Sequence, residues 1–524
     1  MRRIGGQLVS TPDVIVVGGG AAGAVLAARL SQDPDCGVLL LEAGPAPRDA
    51  AGFGADLLDA RLVPGARPRQ PTSAEWPVRL TPERPWTVPR GRVLGGSTTV
   101  NGGYFIRARR EDFSRWADAG NPAWTYERVL PFLRDLECDL DFGASDVHGG
   151  SGPVPVRRKA LDHPAAVAFA DAARSLNHLD DPDKNDQAEP GFGPVPSNVV
   201  HGVRQNTALT YLGAEVRARP NLRVLGDCAV RRVLFARGRA TGVLVEHGDR
   251  LLTLDAGSVV VSAGALGTAH LLLLSGVGPR ADLERVGIPV IRHAAGLGTR
   301  FSDHPQIALE CGGRAEWGEP RESWLGGCLH LRARDARSGP GELEILQSLI
   351  PLASLTSGTT ASDGAALPFL ASSLAPRPTG RLRLRTADPL TAPDIAYGYL
   401  GSAEDRRLMR EVVRAAAVLL EAPAFTDRGP GLRGPGSAIL ERDDKLDRWI
   451  GENLGTAQHT CGTAPMGPED NPEAVVDQYG RVHGVKGLRV ADTSILPDAP
   501  QRGPAATAVL IGEVIADAIR RDLR

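Results

Sequence analysis

Long apolar runs are missing from this sequence. No stretch reaches the ~18 apolar residues of a membrane span, and the run at residues 14–17, after Arg2 and Arg3, is too short for a signal-peptide core. A transmembrane segment and secretion are therefore not expected, while contact with a membrane surface stays open. Net charge is also nearly absent. The 60 Lys and Arg against 62 Asp and Glu give −2, so nothing draws the whole chain to nucleic acid or to an anionic membrane, and a polyanionic substrate is not expected. Cysteine is sparse: Cys36, Cys138, Cys228, Cys311, Cys328 and Cys461 lie far apart, with no CxxC pair. That fits a reducing cytoplasm and excludes a dense disulfide framework. No His, Cys, Asp or Glu set has metal-ligand spacing, so no metal is expected, and Cys461 is read as packing rather than attacking.

What is present suffices for two lobes. At 524 residues the chain exceeds the ~250–300 at which single cores stop growing, and its 42% hydrophobic content can fill both. Apolar runs at residues 14–17 and 38–41 flank a helical stretch at 21–30, which reads as a βαβ start with strands buried on both faces. Residues 76–103, rich in Pro and Gly, predict a long irregular excursion. Residues 112–137 predict one helix with Phe113, Trp116, Val129, Phe132, Leu133 and Leu136 on its apolar face. Five β-type runs between 222 and 261 predict a small antiparallel meander that enters a helix at 271–274. Beyond Asp303 the pattern is α+β, with strands at 342–350 and 381–384 and an amphipathic helix through Leu408, Val412 and Leu419. The chain ends on a strand at 488–490, a Pro-rich turn and a helix at 506–519.

Gly18, Gly20 and Gly23 form G-x-G-x-x-G between the first strand and the first helix. Such a turn lets a pyrophosphate reach backbone N–H groups at the positive end of a helix. Glu42 ends the second strand about 20 residues on, where a carboxylate can accept from a ribose and disfavours a 2′-phosphate. Dinucleotide binding follows, with FAD and NAD not separated by this segment.

The run Gly91-Arg92-Val93-Leu94-Gly95-Gly96-Ser97-Thr98-Thr99-Val100-Asn101, then Phe105 and Ala108, offers backbone and side-chain donors to a phosphate or to the polar edge of a flavin. It resembles the first signature of the glucose-methanol-choline (GMC) oxidoreductase family. The run at residues 264–278 resembles the second, departing at Ala269, where the family has Pro or Ser. The similarity continues through Asp303-His304-Pro305, residues 377–400, 459–467 and 475–513. The resemblance implies an α/β Rossmann-like FAD-binding domain of glutathione-reductase type (8–145, 215–305 and 455–524) and a second α+β substrate-binding domain on an antiparallel sheet (146–214 and 306–454). It implies FAD contacts from Gly18, Gly20, Ala21, Ala22, Gly23, Glu42, Arg92, Gly95, Gly96, Ser97, Asn101, Gly102, Val230, Ala263, Asp492, Pro504 and Ala505. Where some members tether the flavin through a histidine, this chain has Val100, so FAD is expected to be non-covalent. Residues 100–105, 137–142 and 502–507 resemble the mycofactocin-associated branch.

In the family a histidine of an H-x-x-G-T-x-x-M-G run handles the substrate hydroxyl proton. His459, with Gly462, Thr463, Met466 and Gly467, matches it, and an imidazole near neutral pKa suits the task. The second catalytic position, His or Asn in the family, falls on Ala505 ungapped or Pro504 with one gap. Neither side chain can hydrogen-bond a substrate, which leaves Gln501, Arg502 or Tyr104 as alternative donors. His304 is read as structural, His483 as a surface residue, and Trp124, Trp324 and Trp449 as core aromatics. The implied activity is hydride removal from an alcohol, or from the reduced form of a cofactor such as mycofactocinol. Electrons would pass to an acceptor other than oxygen, of respiratory type in one reading. Alternatives are a small-alcohol oxidase and a non-redox flavin lyase of hydroxynitrile type.

Overall fold

The computed structural model describes residues 2–4, 7–9, 11–67, 69–312, 317–335, 339, 341–357, 365–375 and 377–523. Four-residue apolar segments dictate the first layer. Val14–Val17, Val38–Leu41, Leu222–Leu225 and Ser258–Val261 join Leu488–Val490 in one parallel sheet of five strands, ordered 222–225, 38–41, 14–17, 258–261, 488–490. Helix Ala21–Leu30 is apolar nearly all round because it lies between this sheet and the C-terminal helix Ala505–Leu523. The two helices come so close that a Cβ on Gly512 would stand 2.7 Å from Cβ of Val25.

Three expectations about elements need correction. The five runs between 222 and 261 do not make one meander. The short outer two are recruited to the parallel sheet, and only the longer, half-exposed Cys228–Ala236, Arg239–His247 and Arg250–Asp255 pair antiparallel. Residues 76–103 are not irregular throughout, since Ser73–Thr81 and Arg84–Gly91 form a hairpin. Its prolines are tolerated because Arg84–Gly91 is an edge strand and Ser73–Thr81 meets its other neighbour at one residue pair. The predicted helix 112–137 is two, Arg110–Asp118 and Tyr126–Asp135, parted at Gly120-Asn121-Pro122, where Gly120 has φ +95°.

The second large sheet is antiparallel and seven-stranded. Its order is Leu432–Arg433, Pro305–Cys311, Leu367–Ser373, Leu343–Ser348, Leu325–Leu331, Phe192–Pro194, with Gly455–Thr456 also on Pro305–Cys311. Helix Ala403–Leu420 covers it with Leu408, Met409, Val412, Val413, Ala416 and Leu419. Among the described residues no helix is long and apolar enough to cross a membrane.

Candidate active site

Two glycine-rich segments, distant in sequence, build one cradle. Gly23 faces the turn so closely that a Cβ there would lie 1.9 Å from the Gly18 carbonyl, so only glycine lets the helix start against its own strand. Gly20 precedes the first turn without a side-chain cap, and no acidic residue occupies that turn. The N–H groups around Ala21, Ala22 and Gly23 are thereby left for an anion. The second segment docks on the first: Gly95 N donates to Gly19 O at 2.7 Å, and Gly96, at φ +53°, holds the place where a Cβ would come 2.7 Å from Gly20 Cα.

Glu42 is buried beneath this junction. Its Oε2 accepts from Gly19 N and its Oε1 from Gly44 N, both at 2.9 Å. Burial raises its pKa and the backbone donors oppose the rise. The sequence reading placed this carboxylate for a ribose; in the fold it pins the loop, with lone pairs remaining on each oxygen. Asn101 Oδ1 accepts from Gly103 N at 3.0 Å, and the Gly102 carbonyl accepts from Trp324 Nε1 at 2.9 Å. Trp324 is a core aromatic, packed with Val195, Leu325 and Leu346, whose indole N–H also holds a predicted cofactor-contact residue. Val230 is the third residue of the meander's first strand, and Arg92 acts on Glu42 through its charge. Ala263 N donates to Thr268 Oγ1 at 3.1 Å. Asp492 takes Gly264 N at 2.9 Å, Thr268 Oγ1 at 2.5 Å and Ser494 N at 2.9 Å. Its side chain ties the last strand to helix Gly264–Leu274, a role its motif did not reveal. Buried atoms without partners border the cradle: Ser262 Oγ beside Gly23 and Asn206 Nδ2 beside Gly95.

His459 stands at the meeting of both sheets. Asp303 Oδ1 accepts from His459 N at 2.7 Å and from His304 N at 2.7 Å, while its Oδ2 accepts from Thr460 Oγ1 at 2.6 Å. The rings of His459 and His304 meet edge to face, with Nδ1 to Nδ1 at 2.9 Å. His304, read from sequence as structural, is therefore the ring partner of His459. Burial, and then the neighbouring His459, lowers the His304 pKa to about 3. Burial, and then Arg90, lowers that of His459 to about 3, although its ring keeps an open edge. His459 is thus held neutral well below the near-neutral value that the sequence suggested. The Pro500 carbonyl lies against His304 Nε2 without closing a full hydrogen bond.

Beyond the His459 ring the chain offers small groups. A Cβ on Gly503 would sit 3.5 Å from Cε1 and Nε2 of His459, and Pro504 and Ala505 follow, partly open, at the head of the C-terminal helix. Of the alternative donors, Gln501 is buried with its N–H on Asp112. Arg502 turns its Nη1 to the carbonyls of Gly341 and Gln501. The Tyr104 hydroxyl donates to Glu344 Oε2 at 3.1 Å. His483 is half-buried on the Gly467 carbonyl at 3.0 Å rather than free on the surface.

Two groups invisible as spacing in the sequence converge in space: Cys328, His330 and Glu344, and Glu137, Asp139 and His148. In the first, the Cys328 sulfur is 3.9 Å from both ring nitrogens of His330, off the lone-pair axis of either, and His330 Nε2 already meets Glu344. In the second, Arg107 and Arg158 share the carboxylates. Both are hydrogen-bonded or ionic clusters in this structure.

Residues 12–306 and 376–512 each match the family description GMC oxidoreductase. An uncharacterised GMC-type oxidoreductase in the thcA 5′ region of Rhodococcus erythropolis is 40% identical over 96% of this chain and 97% of its own length. An oxygen-dependent choline dehydrogenase of Burkholderia thailandensis is 35% identical over 97% of this chain and 94% of its own. Pyridoxine 4-oxidase from Mesorbium loti superposes with a TM-score of 0.89 at 27% identity, covering 97% of this chain and 99% of that one.

Proposed function

Because the chain belongs to the GMC oxidoreductase family, we propose that it takes a hydride and a proton from the CH–OH group of a small-molecule alcohol, with His459 as the base. The observation that carries this reading is the His304–His459 pair. One proton lies between two Nδ1 atoms 2.9 Å apart. With that proton on His459, its Nε2 lone pair is free toward the site, and His304 carries its own proton on Nε2 against Pro500. Asp303 holds the backbone of His459 and His304 holds its ring, so the base is oriented before substrate arrives. Nε2 accepts the hydroxyl proton as the carbinol C–H bond breaks and a carbonyl forms. Pro504 and Ala505 add no side-chain donor, which leaves the proton to His459.

The cofactor is FAD, held without a covalent bond, and when bound it supplies the hydride acceptor. The residues present fit it: an uncapped helix start, a glycine junction, the orphaned polar atoms of Ser262 and Asn206, and a buried Val100 in place of a nucleophile. Gly18, Gly20, Glu42 and residues 95–102 would hold its polar parts. Glu42→Ala is expected to weaken FAD binding about tenfold or more, since it deletes a buried charged acceptor. The ratio of flavin to protein absorbance after purification measures this, and equal FAD content in mutant and wild type overturns the assignment.

The finer reading is a cytoplasmic dehydrogenase for a mycofactocin-type cofactor, passing electrons to an acceptor other than oxygen. Residues 100–105, 137–142 and 502–507 support it. A second reading, an oxidase using oxygen, draws on the relatives whose names are oxygen-dependent choline dehydrogenase and pyridoxine 4-oxidase. Substrate should bleach the yellow flavin without air, which a lyase would not do. Recovery in air is expected to be slow beside turnover, whereas rapid peroxide formation would favour the oxidase.

A further inference from the structure

The antiparallel sheet carries one polar row across four strands. Gln306, Ser372, Glu344 and His330 stand opposite one another in register. Gln306 Nε2 donates to Ser372 Oγ at 3.1 Å, and Glu344 Oε2 receives Tyr104 OH and meets His330 Nε2, each at 3.1 Å. Burial keeps His330 neutral by lowering its pKa, and its Nε2 faces Glu344 Oε2. Two residues along each strand the next row is apolar: Ala308, Leu370, Leu346 and Cys328. At the other side of the polar row, two residues before Gln306, lies His304 with His459. Gln306, Ala308, Leu370 and Tyr104 are all partly open, as is His459, and Arg502, whose neighbour Gly503 lies against the His459 ring, acts electrostatically on both His304 and Glu344.

Glu344 is nine-tenths buried or more, yet its Oε1 takes no hydrogen bond from an N–H or O–H group among the described residues and is not among the sealed, unpartnered atoms. Burial raises its pKa, and the charge of Arg502, held on the Gly341 carbonyl three residues away, opposes the rise, as do the Tyr104 hydrogen bond, the charge of Lys184 and the Cys328 thiol. With Arg502 and Lys184 beside it Glu344 does not call for a cationic substrate, and a quaternary ammonium has no N–H to offer Oε1. We propose that Glu344 is a specificity-determining residue, whose Oε1 accepts a hydrogen bond from a second hydroxyl or phenol of a neutral alcohol. The apolar body of that alcohol lies along Ala308, Leu370 and Leu346 while its carbinol meets His459. This rests on the alcohol-oxidising reading above.

The test separates binding from turnover. The oxidised holoenzyme is titrated with 4-methylphenol and with toluene, read by perturbation of flavin absorbance, and reduced anaerobically with 4-hydroxybenzyl alcohol and with benzyl alcohol. Wild type is expected to favour the phenolic member of each pair by about tenfold or more. Glu344→Leu should bring both ratios near one, and Glu344→Gln, which keeps the shape and a weaker acceptor, should restore part of them. If Glu344→Leu does not fold, a fall of about threefold in Glu344→Gln decides the same point. Unchanged ratios, or choline reducing the flavin faster than either benzyl alcohol, overturn the proposal. Should no alcohol reduce the flavin, the alcohol-oxidising reading fails, and the phenol-to-toluene ratio still decides the anchor.

Discussion

Replacing His459 by alanine is expected to slow anaerobic flavin reduction by about 10²- to 10⁴-fold, the contribution of a positioned general base, while FAD stays bound. Three observations combine. The imidazole is oriented by Asp303 through its backbone and by His304 through Nδ1. It is neutral at pH 7 because burial and Arg90 take its pKa to about 3. The loop that opens the C-terminal helix provides only Gly503, Pro504 and Ala505 opposite it. The pH profile follows in sign. A base with a lowered pKa keeps its lone pair across the neutral range, so the wild-type rate should stay level from about pH 8 to pH 5 and fall only toward about 3. The alanine variant should lack that acid limb. Stopped-flow reduction against pH measures both, and a variant with near wild-type rate and the same profile would move proton removal to another residue.

The second large effect concerns stability. His148 lies buried among three carboxylates: Nδ1 is 2.7 Å from Glu137 and 3.1 Å from Asp139, and Nε2 is 2.8 Å from Asp183. Arg107 pairs with Glu137, and Arg158 with Asp139 and Asp183. Three buried anions thus face two guanidinium groups, with the partly exposed Asp141 4.0 Å from Arg158, and a protonated His148 balances the buried set. Burial alone would lower its pKa, but the carboxylates Asp139, Asp183 and Glu137 overcome that and raise it to about 10. His148→Ala leaves one buried negative charge unanswered, at a cost of about 3–5 kcal/mol. The folded pKa is raised, so the contribution is complete below about 6.5 and fades as pH rises through about 10. Urea unfolding midpoints should differ widely between wild type and variant at pH 6 and converge toward pH 10. A gap under about 1 kcal/mol at pH 6 would remove His148 from the charge balance.

This knot also bears on the site. Arg107 follows Tyr104 and Phe105 closely, and its N–H is held by Asn185 Oδ1 at 2.9 Å. The segment that presents Asn101 to Tyr104 is therefore anchored from behind by charges drawn from residues 107, 137, 139, 148, 158 and 183. The stretch 137–142, which in sequence served only as a mark of resemblance, has a physical use here.

By itself the sequence determined the parts whose cause is local. The apolar segments 14–17 and 38–41, the helix 21–30 and the glycine spacing between them depend on near neighbours, and they stand where the periodicity put them. The motif around His459 likewise marked a residue that the fold sets beside the cradle. Tertiary structure decided what needs partners from elsewhere. Whether the runs at 222–225 and 258–261 pair with the meander or with the parallel sheet is settled by which edge is free to bury them, and that edge is built from residues 14–41 and 488–490. The union of His304 with His459, the Glu344 row and the His148 knot all arise from side chains far apart along the chain. Burial lowers the pKa of His304 and His459, whereas at residue 148 three carboxylates overcome burial and raise it. A list of residues carries neither the distance nor the desolvation that fixes those charges.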